Sequence, residues 1–263
     1  MAVTGERVLV VDVGTTSVRA SVVDAGAEPR RRVFATHRRP LPPVTPAPGL
    51  VEFDAAAMAA AALDVARSAL DEAGPVAGVG VANQRASAVV WDPATGRPVG
   101  PGLGWQDLRT VGTCLELQAD GLRLAPNQTA TKVAWLLDSH GGDRRPQLVW
   151  GTVDAWIIWH LTGGGAHVTD AGNAAVTGLR TADGTAWDMA VGRRLGIPEA
   201  SFPTVVDSAG VVAEASALPG APPVAGIAGD QQASLVGQGC TRPGLAKITF
   251  GTGAMLDLCM GAD

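Results

Sequence analysis

Residues 8–24 read VLVVDVGTTSVRASVVD, two apolar runs separated by a turn of Gly14, Thr15, Thr16 and Ser17. Short, Val-rich runs bounded by glycine are the pattern of buried strands, and so short a connection makes the pair a hairpin. One acid, Asp12, ends the first run, and one base, Arg19, sits in the second. Residues 245–261, LAKITFGTGAMLDLCMG, repeat the logic of strand, Gly-Thr turn and strand.

Between the two hairpins, strand and helix patterns alternate. Residues 54–74, DAAAMAAAALDVARSALDEAG, form a helix with Asp54 as N-cap and Gly74-Pro75 as stop,. Residues 76–83, 86–92 and 222–230 read as strands, and 231–239 as a helix. Residues 152–164 read as an amphipathic helix with Val153, Trp156, Ile157 and Leu161 on one stripe,. The five prolines of 38–50 read as an extended loop,. The expected fold is α/β, with a mixed sheet and flanking helices.

Composition narrows the function. Apolar residues make up 46% of the 263 positions, enough for a sizeable core,. A net charge of −5 argues against nucleic acid and anionic membranes as partners,. No apolar run has the length of a membrane span, and no basic region precedes the first one as in a secretory signal. Three cysteines without a CxxC pair suggest reduced thiols and a cytoplasmic location,. The four histidines lack metal-ligand spacing; His160, near a helix end, suits a charged or capping role. Asp170 and Asn173 suit loop hydrogen bonding, Trp156 and Trp159 packing, and Trp187-Asp188 a helix start.

The first turn has two explanations. Gly14 permits close backbone approach, and Thr15, Thr16 and Ser17 offer successive N–H donors and hydroxyls that suit phosphate oxygens. Asp12 beside such an anion makes sense as a partner of Mg²⁺ held through water, with Arg19 as a fork donor to phosphate. A hairpin turn with Ser/Thr caps explains the same residues equally well. A P-loop is excluded, because no G-x-x-x-x-G-K-[ST] is present. Asp230, in IAGDQQ, falls between strand and helix. It reads either as an N-cap or as a base that takes a hydroxyl proton, its pKa lowered by the helix N-terminus. The second turn, Gly251-Thr252-Gly253, makes a constellation with Asp12 and Asp230 that favours the phosphate reading.

In order along the chain, DVGTTSVRASVVD, GVGVANQRASAVVWDPATGRPVGPGLGWQDLRT, WGTVDAWIIWHLTGG, HVTDAGNAA, GIAGDQQASLVGQG and AKITFGTGAM resemble the FGGY carbohydrate kinases, those acting on glycerol most of all. The resemblance implies an actin-like, ribonuclease-H-like fold. Residues 1–245 would be the N-terminal domain, and 246–263 the first strands of a second. It implies ATP and Mg²⁺ as cofactors and phosphoryl transfer to a polyol or sugar hydroxyl. Asp12 would act on Mg²⁺. Gly14, Thr15, Thr16, Ser17 and Arg19 would contact phosphates, with Thr252 and Gly253 their counterparts in the second domain. Arg85, Trp105 and Gln231 would hold the acceptor, and Asp230 would be the general base.

Three departures put the substrate in question. The family's NQRET is NQRAS here, with Ala86 in place of a glutamate, and Asn127 falls where the family carries a tyrosine. The segment between Thr110 and Thr131 is about ten residues shorter than the family pattern,. Losing a buried hydroxyl partner costs roughly 1–3 kcal/mol, about 10- to 100-fold in affinity. Family chains are also about twice as long, so 246–263 is expected to pack on the first domain, pair with another copy through an open edge, or stay loose. Closure around ATP needs both domains, which makes the chain alone a poor catalyst. A non-catalytic domain with residual sugar or phosphate binding is the alternative, and a pentulose the alternative substrate.

Overall fold

In the computed structural model, which describes residues 7–28, 32–250 and 254–261, the runs around the first turn pair antiparallel as β1 (Arg7–Val13) and β2 (Ser17–Asp24). Alternation fixes the register. Leu9, Val11 and Val13 are fully buried, whereas Val8 on the opposite face is 39% exposed,. The chain continues through β3 (Val33–Pro40), β4 (Glu52–Phe53), α1 (Ala55–Ala73), β5 (Gly78–Asn83), β6 (Val89–Asp92), β7 (Arg97–Pro98) and β8 (Gly102–Leu103). Next come α2 (Val111–Ala119), α3 (Ala130–Leu136), β9 (Val149–Gly151), α4 (Val153–Leu161), β10 (Val168–Asp170) and α5 (Ala171–Ala175). Then follow α6 (Met189–Arg194), β11 (Thr204–Val206), β12 (Ala209–Glu214), β13 (Pro223–Gly229), α7 (Asp230–Gly237), β14 (Ala246–Phe250) and β15 (Ala254–Leu258).

The main sheet has six strands in the order β12-β13-β5-β1-β2-β3. β1 and β13 flank β5 in parallel, and the other pairings are antiparallel, so the sheet is mixed as expected. Asp54 caps α1 by accepting from Ala57 N at 2.8 Å, and Gly74 ends it. α1 and α4 pack together over the sheet, and the Trp156 indole donates to the Ala55 carbonyl at 2.8 Å. A second core joins Val90 and Leu103 to Val133 and Leu136 of α3, with Trp150 among them. Asp188 caps α6, so Trp187-Asp188 does start a helix. Among the described residues, no helix is long and apolar enough to cross a membrane.

Several sequence expectations need correction. α4 is not amphipathic: Val153 to Ile158 are all buried, because the helix is packed against α1, β5, β9, β10 and β13 together,. Residues 38–40 are not loop. They complete β3, where Pro40 sits at the strand's end,. The strand expected from 86 begins at 89, because Ala86 has a left-handed φ of 61°,. Among the described residues His160 makes no side-chain cap, and burial disfavours its charged form, pushing the imidazole below the ordinary value. Its ring stands edge-on to Trp156 at 4.2 Å. The second hairpin forms as β14–β15, but its turn, Gly251-Thr252-Gly253, lies outside the described residues.

The interior also holds a polar network. Asp154 on α4 is fully buried and accepts from the Thr152 hydroxyl, from Thr169 Oγ1 at 2.7 Å and from Asp170 N at 3.2 Å. Asp170 caps α5 through Asn173 N, and Asn173 exchanges two amide hydrogen bonds with Asn83 at the end of β5. The bonds expected of Asp170 and Asn173 thus exist, in a buried helix cap rather than a loop. Burial raises the Asp154 carboxyl to about 6, with the Asp170 charge adding to the effect and the hydroxyl donors opposing it,. A raised folded-state value makes this group's contribution to stability fullest below the ordinary carboxylate range, fading as pH rises through about 6. Replacing Asp154 by alanine removes the acceptor of one backbone N–H and of two hydroxyls, which keep only their mutual 3.3 Å contact. The expected loss is about 3 kcal/mol or more, and the wild-type advantage should shrink as pH rises through about 6. Urea unfolding of both proteins across that range measures each effect.

Candidate active site

The parallel strands β1, β5 and β13 end side by side, and the candidate residues stand at those carboxyl ends. Val13, Asn83 and Gly229 share one level of the sheet. Just beyond this level come the first turn, Gln84-Arg85 and Asp230. Gln84 N donates to the Val13 carbonyl at 2.8 Å, which ties the turn after β1 to the segment after β5. Open α/β sheets place their ligands at this edge.

Two concavities open there, one lined by Thr15 and the other by Gly14 and Ser17 of the same turn. The larger, about 460 Å³, is lined by Thr15, Gln84, Arg85, Ala86, Trp105, Asn127, Asp230, Gln231 and Met255, among others. That size suits a small organic molecule. Trp105 forms a wall and donates from Nε1 to Thr15 Oγ1 at 3.2 Å. Arg85 reaches the Gly172 carbonyl at 3.4 Å and, among the described residues, makes no ion pair, leaving its guanidinium available. Its stem crosses Gly229, where an added Cβ would lie 2.4 Å from Arg85 Cδ. Gly229 is therefore a requirement of the site, and the IAGD run alone does not mark it as one.

Asp230 is the first residue of α7, and its carboxylate accepts from Gln231 N at 2.8 Å. The expectation that the helix N-terminus lowers its pKa is overturned. Burial raises it above the ordinary value and repulsion from Asp12 adds to that, while the Gln231 N–H, Arg85 and Lys247 oppose. The result is a carboxylate of strengthened basicity facing the larger cavity.

The smaller concavity, about 250 Å³, is lined by Asp12, Gly14, Ser17, Arg19 and Arg38. Asp12 lies opposite Arg19, and Arg19 opposite Arg38, in one row across β1, β2 and β3. Arg19 Nη2 donates to Asp12 Oδ2 at 2.7 Å. With two guanidiniums and one carboxylate, the cradle carries a net positive charge and suits an anion. The turn residues do not act as one set. Ser17 and Gly14 line this cradle, Thr15 lines the larger cavity, and Thr16 is exposed and lines neither. Arg38 was not foreseen, because reading 38–50 as loop hid its strand register. With an anion bound to offset Arg19 and Arg38, the notch also suits a hydrated divalent cation,. Asp12 offers a hard oxygen donor, and its repulsion with Asp230 is relieved by a positive charge between them,. Among the described residues no cluster of three or more His, Cys, Asp or Glu forms a metal cage.

Gln231 lines the larger cavity and its amide contacts the Met255 sulfur, so the second hairpin contributes a wall. Lys247 of that hairpin donates to the Gln231 carbonyl at 3.3 Å and pairs with Asp257 at 3.0 Å. The hairpin therefore packs on the main body, one of the outcomes expected for it. Its other face stays uncovered: Phe250 is 81% and Leu256 68% exposed. Ala86 and Asn127, two of the departures from the family pattern, both face the cavity.

Comparison with known proteins agrees with this geometry. The profile of the FGGY family of carbohydrate kinases, N-terminal domain, matches residues 7–237. The glycerol kinase of Aromatoleum aromaticum is 43% identical over 97% of the chain and 54% of its own length. That of Alkalilimnicola ehrlichii is 42% identical over 95% and 54%. The chain thus spans about half the length of these relatives. In fold it is similar to glycerol kinase of Plasmodium falciparum with ADP (TM-score 0.85, 22% identity, 97% of this chain and 55% of that one). It is also similar to xylulose kinase of Rhodospirillum rubrum (TM-score 0.83, 24% identity, 95% and 54%).

The electrostatics of Asp230 can be read directly by ¹³C-detected carboxyl titration. Its midpoint should lie above the ordinary 3.8. Asp12→Asn should lower it by removing a repelling charge, and Arg85→Met should raise it by removing an attracting one. A midpoint at or below the ordinary value contradicts the burial argument.

Proposed function

The chain belongs to the FGGY family of carbohydrate kinases, and we propose that it carries the acceptor side and one phosphate cradle of an ATP-dependent kinase acting on a polyol or small sugar. The observation that carries this reading is the adjacency of the two concavities. One holds a basic carboxylate beside the Arg85 guanidinium, which makes no ion pair among the described residues, and the other holds a cationic row, Arg19 and Arg38, around Asp12. A hydroxylated acceptor and a phosphate chain have to meet at such a junction.

In this reading Arg85 donates hydrogen bonds to acceptor hydroxyls, Trp105 closes one side, and Gln231 offers its amide. Asp230 takes the proton of the attacking hydroxyl. As that oxygen bonds to the γ-phosphorus, the bond to the ADP oxygen breaks, and the products are ADP, the phosphorylated acceptor and a proton passed on to solvent. Gly14, Ser17, Arg19 and Arg38 position phosphate oxygens, and Thr15 fixes Trp105 while facing the junction. Thr252 and Gly253 are proposed as the opposing phosphate contacts, and Thr16 as a backbone contact only. Asp12 would hold Mg²⁺ through water, and the ion supplies charge neutralisation on the phosphates when bound. Residues 1–245 are proposed as the domain carrying this half of the cleft, and 246–263 as strands of the opposing one.

A binding-only role is the second reading. Ala86 and Asn127 favour it, since neither offers a carboxylate or phenol to the cavity they line.

The test is a panel of glycerol, erythritol, pentuloses and gluconate, with binding followed by ligand-observed NMR and turnover by coupled ADP release. At least one acceptor is expected to bind, and Arg85→Ala should abolish that binding. Turnover by the chain alone should be slight. Asp230→Asn should lower it by about 10²- to 10⁴-fold, the usual contribution of a general base, while binding persists. Binding with no turnover under any condition selects the second reading, and neither binding nor turnover with any acceptor overturns both.

A further inference from the structure

Lys132, on α3, has no solvent exposure, and among the described residues it has no ion-pair partner. Its ammonium has three N–H donors, and the structure accounts for all of them. Nζ donates to the Ala86 carbonyl at 2.8 Å, the Gly104 carbonyl at 2.9 Å and the Asn127 carbonyl at 3.2 Å. These carbonyls belong to three separate segments. Ala86 and Asn127 line the larger cavity, and Gly104 immediately precedes Trp105, which forms its wall. Ala86 also holds a left-handed φ that a non-glycine residue keeps only when its surroundings impose it,. Asp107, the acid whose charge acts on Lys132, is committed to Arg109 and to Val51 N. An isolated buried charge is costly, and here backbone dipoles rather than a counter-charge compensate it.

We propose that Lys132 is a positioning residue, whose buried ammonium fastens the Ala86, Gly104 and Asn127 segments into the shape that receives the acceptor. The role in acceptor binding rests on the reading of the larger cavity given above; the clamp itself rests on the three hydrogen bonds. A neutral amine has two donors and a lone pair, so losing one proton leaves one carbonyl unbonded and facing that lone pair. Burial draws Lys132 down to about 7, opposed by the Asp107 carboxylate and, more weakly, by Cys114 on α2. Acceptor affinity should therefore fall as pH rises through this value.

The chain has two lysines, Lys132 and Lys247, so ¹³Cε-lysine labelling yields two signals, and Lys247→Arg assigns them. The Lys132 signal should titrate well below the ordinary 10.5. The amides of Ser87, Trp105 and Gln128, which share peptide groups with the three carbonyls, should shift with the same midpoint. Affinity for the best-binding polyol should drop about tenfold across it, the equivalent of one lost hydrogen bond to a charged group. Lys132→Met should bind at least tenfold more weakly at mildly acid pH and lose the pH dependence. An ordinary lysine midpoint, amides that do not follow, or wild-type affinity in Lys132→Met overturns the proposal. Should Lys132→Met not fold, the titration of the unmutated chain decides alone. If no polyol binds at any pH, the acceptor reading fails, while the amide titration still judges the clamp.

Discussion

The parallel pairing of β1 with β5, and of β5 with β13, is the constraint on which the site depends. It sets Val13, Asn83 and Gly229 level with one another, so that three separate loops leave the sheet at one place. A one-residue slip of β1 would turn Asp12 towards the core that Val11 and Val13 fill, and would bring those valines to the ligand side,. The hydrophobic alternation that stabilises the sheet thus also selects which side chains reach the ligand. Charge is then arranged on that frame. Asp12, Arg19 and Arg38 face one concavity because they are cross-strand neighbours, and Asp230 faces the other because β13 ends there.

Behind the cavity, the interior is stiffened by polar groups as well as apolar ones. Asp154, Asp170, Asn173 and Asn83 form a hydrogen-bonded run from α4 to the end of β5, with few donors left over. Lys132 does the same for the Ala86, Gly104 and Asn127 segments. Such groups are costly when half satisfied and rigidifying when fully satisfied. Arg109 adds a third example. It bonds Asp107 and Glu52 and lies over Trp135 at 4.4 Å, holding the loop that presents Trp105. The candidate functional side chains thus stand on supports that are themselves locked.

Much of this was legible in the sequence, and particular residues show why. The hairpin at 8–24, the capped helix from Asp54 and the strand-to-helix step at Asp230 are local patterns, and they appear as read. Arg85, Trp105 and Asn127 could be placed at the site by resemblance. Arg38 could not, because its role comes from lying opposite Arg19 across two strands, while its neighbours Pro40, Pro42 and Pro43 advertise a loop. Gly229 and Lys132 escaped notice for a similar reason: one matters through a clash it avoids with Arg85, the other through carbonyls, which have no sequence signature. The basicity of Asp230 was misjudged because a helix N-terminus is visible in sequence and burial is not. The same blindness made α4 look amphipathic, since its second buried face is supplied by elements distant along the chain.

The strand order also sets a sequence of events in folding. β1, β2 and β3 are consecutive and pair through short closures, so they can assemble early with α1 against them. β13 is separated from its neighbour β5 by most of the chain, and joining them demands a large loop closure before any contact rewards it,. The phosphate cradle lies wholly in the early part, on β1 to β3. The larger cavity acquires Asp230 only when β13 docks. A nascent or partly unfolded molecule therefore presents a cationic cradle without the carboxylate that completes the site.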